Sequence, residues 1–208
     1  MNDKRGATLV IACGALAREI AALRRANAWT ALDVRCLPAE LHNRPERIAP
    51  AVREQIRAQR AHYAQIFVAY GECGTAGALD ALLKEEGIER IAGAHCYEFF
   101  AGPAVFAALA EAEPGTFYLT DFLLRNFERF VVKPLGLDRH PQLKNEYFRN
   151  YRRLVYLAQA EKPGSTERAR EVADYLGFSF EYRFTGYGAL GTRLSALPMS
   201  PQVPTWQA

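Results

Sequence analysis

The chain has no apolar run approaching the roughly 20 residues that a membrane-spanning helix requires. That excludes a helical membrane anchor from the expected partners. Its opening "MNDKRG" leads into a short strand-like run, without the long hydrophobic region and small-residue cleavage site of a secretory leader. A cytoplasmic location is therefore expected. Cysteine is sparse, at 4 in 208 residues, and no two cysteines form a CxxC pair. Local spacing therefore proves no metal site. In a reducing compartment the four thiols are expected to be free, metal-bound or catalytic rather than disulfide-linked. Neither sign of charge dominates: 26 Lys and Arg are interspersed with 23 Asp and Glu. There is no polybasic arm and no acidic tail. The Arg-rich stretch from Arg44 to Arg60 has no interleaved aromatic platform and reads as a solvated helix face, so no nucleic-acid partner is expected. A G-x-S-x-G nucleophile elbow and a Walker loop are also missing.

Half of the residues are hydrophobic, enough for a full core without covalent staples. Strand-like and helix-like patterns alternate along the chain. "ATLVIA" (7–12) is a continuous apolar run, the mark of a strand covered on both faces. Further strands are expected at 32–37, 64–70, 88–94, 116–120, 153–159 and 178–184. Helices are expected between them, including one over about 14–26 with Leu16, Ile20 and Leu23 on one stripe. A long helix follows Asn43, a possible cap, with Pro45 in its first turn and Pro50 delaying or kinking it. "DFLLRNFERFVVKPLG" reads as one aromatic amphipathic helix, with Thr120 and Asp121 as cap first and substrate contact second. This pattern predicts one doubly wound α/β domain over 1–197, with a mostly parallel sheet of about six or seven strands. The first strands are expected in the order 2-1-3-4-5, with helices on both faces. A proline-rich tail over 198–208 completes the reading.

In such sheets ligands sit outside the carboxyl ends of the strands, where strand order reverses. Three strand-like runs deliver a thiol at that end: Cys13, Cys73 and Cys96. Loops after strands one, three and four can converge on one ion, and a catalytic zinc site uses three protein ligands with an open position. A three-thiolate iron–sulfur cluster is the alternative cofactor. His95 is a candidate fourth ligand. Glu98 and His42 are candidate acid–base groups at the same end. The plain alternative is that each cysteine is a small buried hydrophobe, and Cys36, inside a strand, is read that way. His95 by itself suits a hydrogen-bonded core position. Gly71 and Gly74 frame Cys73 and suit close approach of a ligand, though a tight turn needs the same residues. Gly186 and Gly188 belong to "TGYGALG", which spells G-x-G-x-x-G. No following strand and acidic residue complete a dinucleotide unit, which leaves contact with another substrate group.

The motifs "ACGAL", "LPAELHNRPERI", "YGECG", "GAHCYEFFAG", "PGTFYLTDFL", "LGLDRHPQL" and "TGYGAL" together resemble a bacterial and archaeal family known only as a domain of unknown function. The resemblance runs from about residue 8 to 196. Its cysteine-bearing motifs match here at Cys13, Cys73 and Cys96, with His95 and Glu98 beside the last. It implies a place near corrinoid-dependent methylamine or betaine methyltransferase systems, hence in methyl-group metabolism. The expectation is a zinc-dependent enzyme or accessory acting on a small molecule or on corrinoid methyltransferase proteins. A non-catalytic carrier or chaperone for a metal or corrinoid is the alternative.

Overall fold

In the computed structural model, residues 4–198 are described. The proline-rich tail beyond Pro198 lies outside them. The chain divides into two compact units, one running up to Cys96 and resuming at Leu190, the other Tyr97–Ala189. The fold is α/β with parallel sheets, as the alternation predicts.

The first unit holds a four-stranded parallel sheet in the order β2-β1-β3-β4. Its strands are β1 (Lys4–Cys13), β2 (Leu32–Leu37), β3 (Tyr63–Ala69) and β4 (Glu89–Arg90). The connecting helices are α1 (Ala17–Ala26), α2 (Ile48–Gln59) and α3 (Ala78–Glu86). Leu9, Ile11 and Val68 form a buried layer with Ile48, Val52 and Ile56 of α2 and Leu79, Leu82 and Leu83 of α3. Strand order reverses between β1 and β3, so right-handed crossovers place α1 on the opposite face. Two short 3-10 turns, Ala39–Asn43 and Pro45–Arg47, precede α2. Asn43 does not cap the helix: Arg47 holds that position without a side-chain bond. Pro50 falls in the first turn of α2, where its missing N–H costs nothing, and the helix continues through it.

The second unit begins with α4 (Cys96–Ala101), whose first residue belongs to the other unit, and α5 (Pro103–Ala112). A parallel three-stranded sheet follows, in the order β5-β6-β7: β5 (Thr116–Thr120), β6 (Arg153–Ala158) and β7 (Ser179–Phe184). The expected seven strands all form, but they are shared between two sheets, and β5 pairs with β6 rather than with β4. The expected aromatic helix is broken. It comprises α6 (Asp121–Arg125), then a π turn over Glu128–Val132. At the break the Asn126 side-chain amide donates to the Phe122 carbonyl at 2.8 Å. The short α7 (Leu143–Tyr147) precedes β6, and α8 (Ser165–Leu176) joins β6 to β7 and ends on Gly177, at φ 82°. The core of this unit is aromatic: Phe117 lies against Phe127, Phe148 and Tyr151 in edge-on contacts. The last helix, α9 (Gly188–Ser195), returns the chain to the first unit from Leu190 onward. Leu190 and Leu194 are fully buried there, and the Arg193 guanidinium lies 5.7 Å from the Phe67 ring centre. Among the described residues, no helix is long and apolar enough to cross a membrane.

Candidate functional site

Cys13 is the last residue of β1 and pairs with Leu37 of β2. The turn after it is pressed against the end of β2. A Cβ on Gly14 would stand 2.7 Å from the Leu37 carbonyl oxygen and 3.0 Å from the Ala39 nitrogen. Only glycine allows that approach, and it fixes Cys13 at the carboxyl edge of the sheet.

Cys73 follows β3 by four residues, in a loop built of two successive mirror-image turns. Cys73 and Gly74 have φ 51° and 79°, and the Thr75 N–H closes the turn on the Glu72 carbonyl at 3.1 Å. Ala76 and Gly77 repeat the pattern at 52° and 82°, with the Ala78 N–H on the Thr75 carbonyl at 3.1 Å. Both glycines suit such turns. Cys73 does not, and a left-handed non-glycine residue costs about 1–2 kcal/mol. The Glu72 carboxylate holds the loop in this shape. It accepts the Thr75 hydroxyl at 2.7 Å and the Gly74 and Gly77 amides at 2.8 and 3.1 Å. Those bonds, Thr75 first, hold its carboxyl below the ordinary range. The glycine loop is therefore a built anion cradle whose occupant is its own neighbouring carboxylate.

Cys96 is carried to Cys73 by the main chain. The Glu72 and Cys73 amides donate to the Gly93 and Ala94 carbonyls at 2.9 and 2.8 Å. A Cβ on Gly71 would stand 3.1 Å from the His95 Cα, so the two segments lie in direct backbone contact. Arg90 braces the same corner. Its guanidinium grips Asp80 at 2.6 and 3.0 Å and donates to the Ile91 and Gly93 carbonyls.

The three thiols are half-buried, and Cys13 bears on the other two. Burial raises the Cys96 thiol well above its ordinary value, and Cys73 and Cys13 raise it further. Burial first, then Cys13, pushes Cys73 up to about 11. Cys13 is raised by burial, offset in part by bonds from the Ala15 backbone and Tyr70. At neutral pH all three are thiols. Among the described residues, no three His, Cys, Asp or Glu side chains stand as they lie in an arrangement that holds an ion.

His42 and His95 belong to the same edge. Desolvation, then the neighbouring His95, lowers the His42 imidazole below its ordinary value, although His42 keeps much of its surface in water. Glu98 lies on α4 in the second unit, where its carbonyl accepts the Gly102 N–H. Gly186 and Gly188 lie in that unit too, both at positive φ. A Cβ on Gly188 would collide with the carbonyl oxygens of Phe99 and Phe100, so close packing on α4 accounts for a glycine at that position.

The second unit has a polar centre of its own at the end of β5. Asp121, 3 % exposed, accepts the Tyr156 hydroxyl at 2.8 Å, the Gln159 amide at 3.2 Å and the Lys162 ammonium at 3.2 Å. Thr120 caps α6 by accepting the Leu123 N–H. A cavity of about 620 Å³ adjoins this cluster, with Tyr156, Lys162, Arg170 and Tyr182 in its lining. A cavity of similar size between α2 and α3 is lined by no cysteine.

Residues 36–194 match the model of a family described as "Protein of unknown function (DUF1638)". The chain belongs to that family. No curated protein and no solved structure matches it. The family match takes in Cys36, His42, Cys73, His95, Cys96 and Asp121, while Cys13 lies ahead of it.

Three residues near the thiols were given no role from the sequence. Cys36 raises both Cys13 and Tyr70, so it lies within their electrostatic reach despite its exposed position. Tyr70, just past β3, is 2 % exposed and faces the Cys13 thiol. Glu19 is 4 % exposed and raises Cys96. Glu19 was detectable, because it is an acid three residues after Leu16 and four before Leu23, inside the apolar stripe of α1.

Proposed function

We propose that the first unit binds a soft metal ion, zinc foremost, through Cys13, Cys73 and Cys96, with His95 as a fourth donor. The observation that carries this reading is geometric: Cys13 ends β1 at one sheet edge, and the Cys73 loop lies in main-chain contact with the segment that leads to Cys96. Sulfur and imidazole donors suit zinc and disfavour hard cations. Among the described residues the side chains as they lie form no metal-holding group, so loading would require the thiols to turn toward a common point. Each thiol must also give up a proton that burial makes it hold tightly, so uptake is steeply pH-dependent.

Bound zinc supplies Lewis acidity and a thiolate or water activated as nucleophile. The protein supplies the setting. Glu72 and Gly14 fix the loops, and the surrounding core partly buries the sulfurs. His42 stands beside His95 at the same edge, with its proton affinity lowered by desolvation and then by His95. On this reading the protein works in the cytoplasm, where thiols stay reduced. It serves methyl-group metabolism as an enzyme or accessory, and its partners are a small-molecule substrate or corrinoid methyltransferase proteins. The family resemblance is what supports that placement.

Elemental analysis of anaerobically purified protein tests the reading. About one zinc per chain is expected, lost in Cys73→Ser. Iron with acid-labile sulfide would replace zinc by an iron–sulfur cluster. Wild-type protein that neither contains zinc nor takes it up defeats the proposal.

A further inference from the structure

In the second unit β7 is an edge strand. It pairs with β6 on one side, and among the described residues no strand lies on the other. The Ser179 N–H donates to the Arg152 carbonyl, and the Thr185 N–H to the Ala158 carbonyl. Those bonds fix the parity of the strand. Odd-numbered residues turn their backbone polar groups to β6, and Phe180, Tyr182 and Phe184 turn theirs outward. An outward row of unpaired N–H and C=O groups is a template for a further strand. Phe184 is 56 % exposed and Tyr182 40 %. Edge strands are commonly blunted by charges that repel a partner, but here both signs are present. Glu181 and Arg183 share the opposite face of the strand. The Arg183 Nε donates to Glu181 at 2.6 Å, while among the described residues its terminal nitrogens bond nothing.

Residues 180–184 read Phe-Glu-Tyr-Arg-Phe, an order that is its own complement when laid antiparallel. With Tyr182 on a two-fold axis, Phe180 faces Phe184 of a second copy, and Glu181 faces Arg183 of that copy. Outward backbone groups then meet outward backbone groups along the whole strand. A slip of two residues in one direction sets Glu181 against Glu181, and in the other Arg183 against Arg183. Like charges directly opposite are destabilising. One antiparallel register therefore satisfies both the charges and the backbone.

We propose that β7 is a dimer edge, through which a second copy of this chain joins its three-stranded sheet to this one in a continuous antiparallel pairing. The contact is isologous. Aromatic rings of both copies line one face, and Glu181–Arg183 pairs cross the axis on the other. The proposal is independent of the metal reading.

Sedimentation equilibrium tests it on wild-type protein, Arg183→Glu and Phe184→Pro, with far-UV circular dichroism to check that each is folded. Wild type is expected at twice the chain mass as concentration rises. Arg183→Glu sets like charges opposite each other twice over and is expected to weaken dimerisation about tenfold to a hundredfold. Phe184→Pro removes an outward N–H, leaves the β6 ladder intact and is expected to be monomeric. Amide hydrogen exchange on wild type needs no variant: the Tyr182 and Phe184 amides are expected to slow as the protein passes from monomer to dimer. A wild type that stays monomeric overturns the proposal. So does a dimer that either folded variant retains undiminished, or one in which those amides exchange as fast as in the monomer.

Discussion

Alkaline pH is expected to cost the metal-free protein stability through Cys73. An unperturbed thiol ionises near 9.0, whereas Cys73 in the folded protein holds its proton up to about 11. Between those values the folded state carries a proton that the unfolded state has lost. Stability therefore falls with rising pH in that window, after being complete below pH 9. Two pH units correspond to about 2.7 kcal/mol, an upper figure because Cys73 is only half-buried. Cys73→Ala removes the titration and keeps the same left-handed backbone demand. The assay is urea unfolding with a chelator present, at pH values from 8 to about 11. The stability advantage of wild type over Cys73→Ala should shrink by about 2 kcal/mol across the series. Cys13 shares in the transition, so the loss belongs to the pair. Two curves that stay parallel would show that the thiol is hydrated in the folded state, and the argument from mutual burial would fail.

Asp121→Ala strips the acceptor from the Tyr156 hydroxyl and the Gln159 amide inside the second unit, and should cost about 3–5 kcal/mol in urea unfolding. A double-mutant cycle with Tyr156→Phe should return a coupling of about 1.5–3 kcal/mol, the range for a bond to a charged acceptor, and a coupling near zero would refute that contact. Gly14→Ala places a methyl group against the Leu37 carbonyl and should cost about 1–3 kcal/mol. Because the turn must move, Cys13 should also react faster with a thiol reagent, and an unchanged labelling rate would count against the tight approach.

Much of the fold was legible because its strands are apolar and short. "ATLVIA" and "AQIFVA" read as covered strands and became β1 and β3, and the order 2-1-3-4 is the one expected of a doubly wound sheet. "IERIAGA" reads equally well as a strand, yet only Glu89 and Arg90 form a ladder with β3. The residues after them spend their carbonyls on the Cys73 loop and the Arg90 guanidinium, a tertiary demand that no local pattern announces. The aromatic helix failed for a similar reason: its stripe is real, but Asn126 bonds back to its own turn and a π turn follows. The positions of Cys13, Cys73 and Cys96 at one edge were legible from where the strands end. That Glu72 occupies the amides of its own loop was not, because the spacing of its glycines fits an empty cradle and a filled one alike.

The division of the chain has a consequence during synthesis. The sheet that bears the thiols is finished by α9, and the Thr8 hydroxyl donates to the Pro198 carbonyl at 2.6 Å. Residues 97–189 must leave the ribosome first, a delay on the order of 5–20 s at 5–20 residues per second. Throughout that interval Phe67 lacks its Arg193 cover.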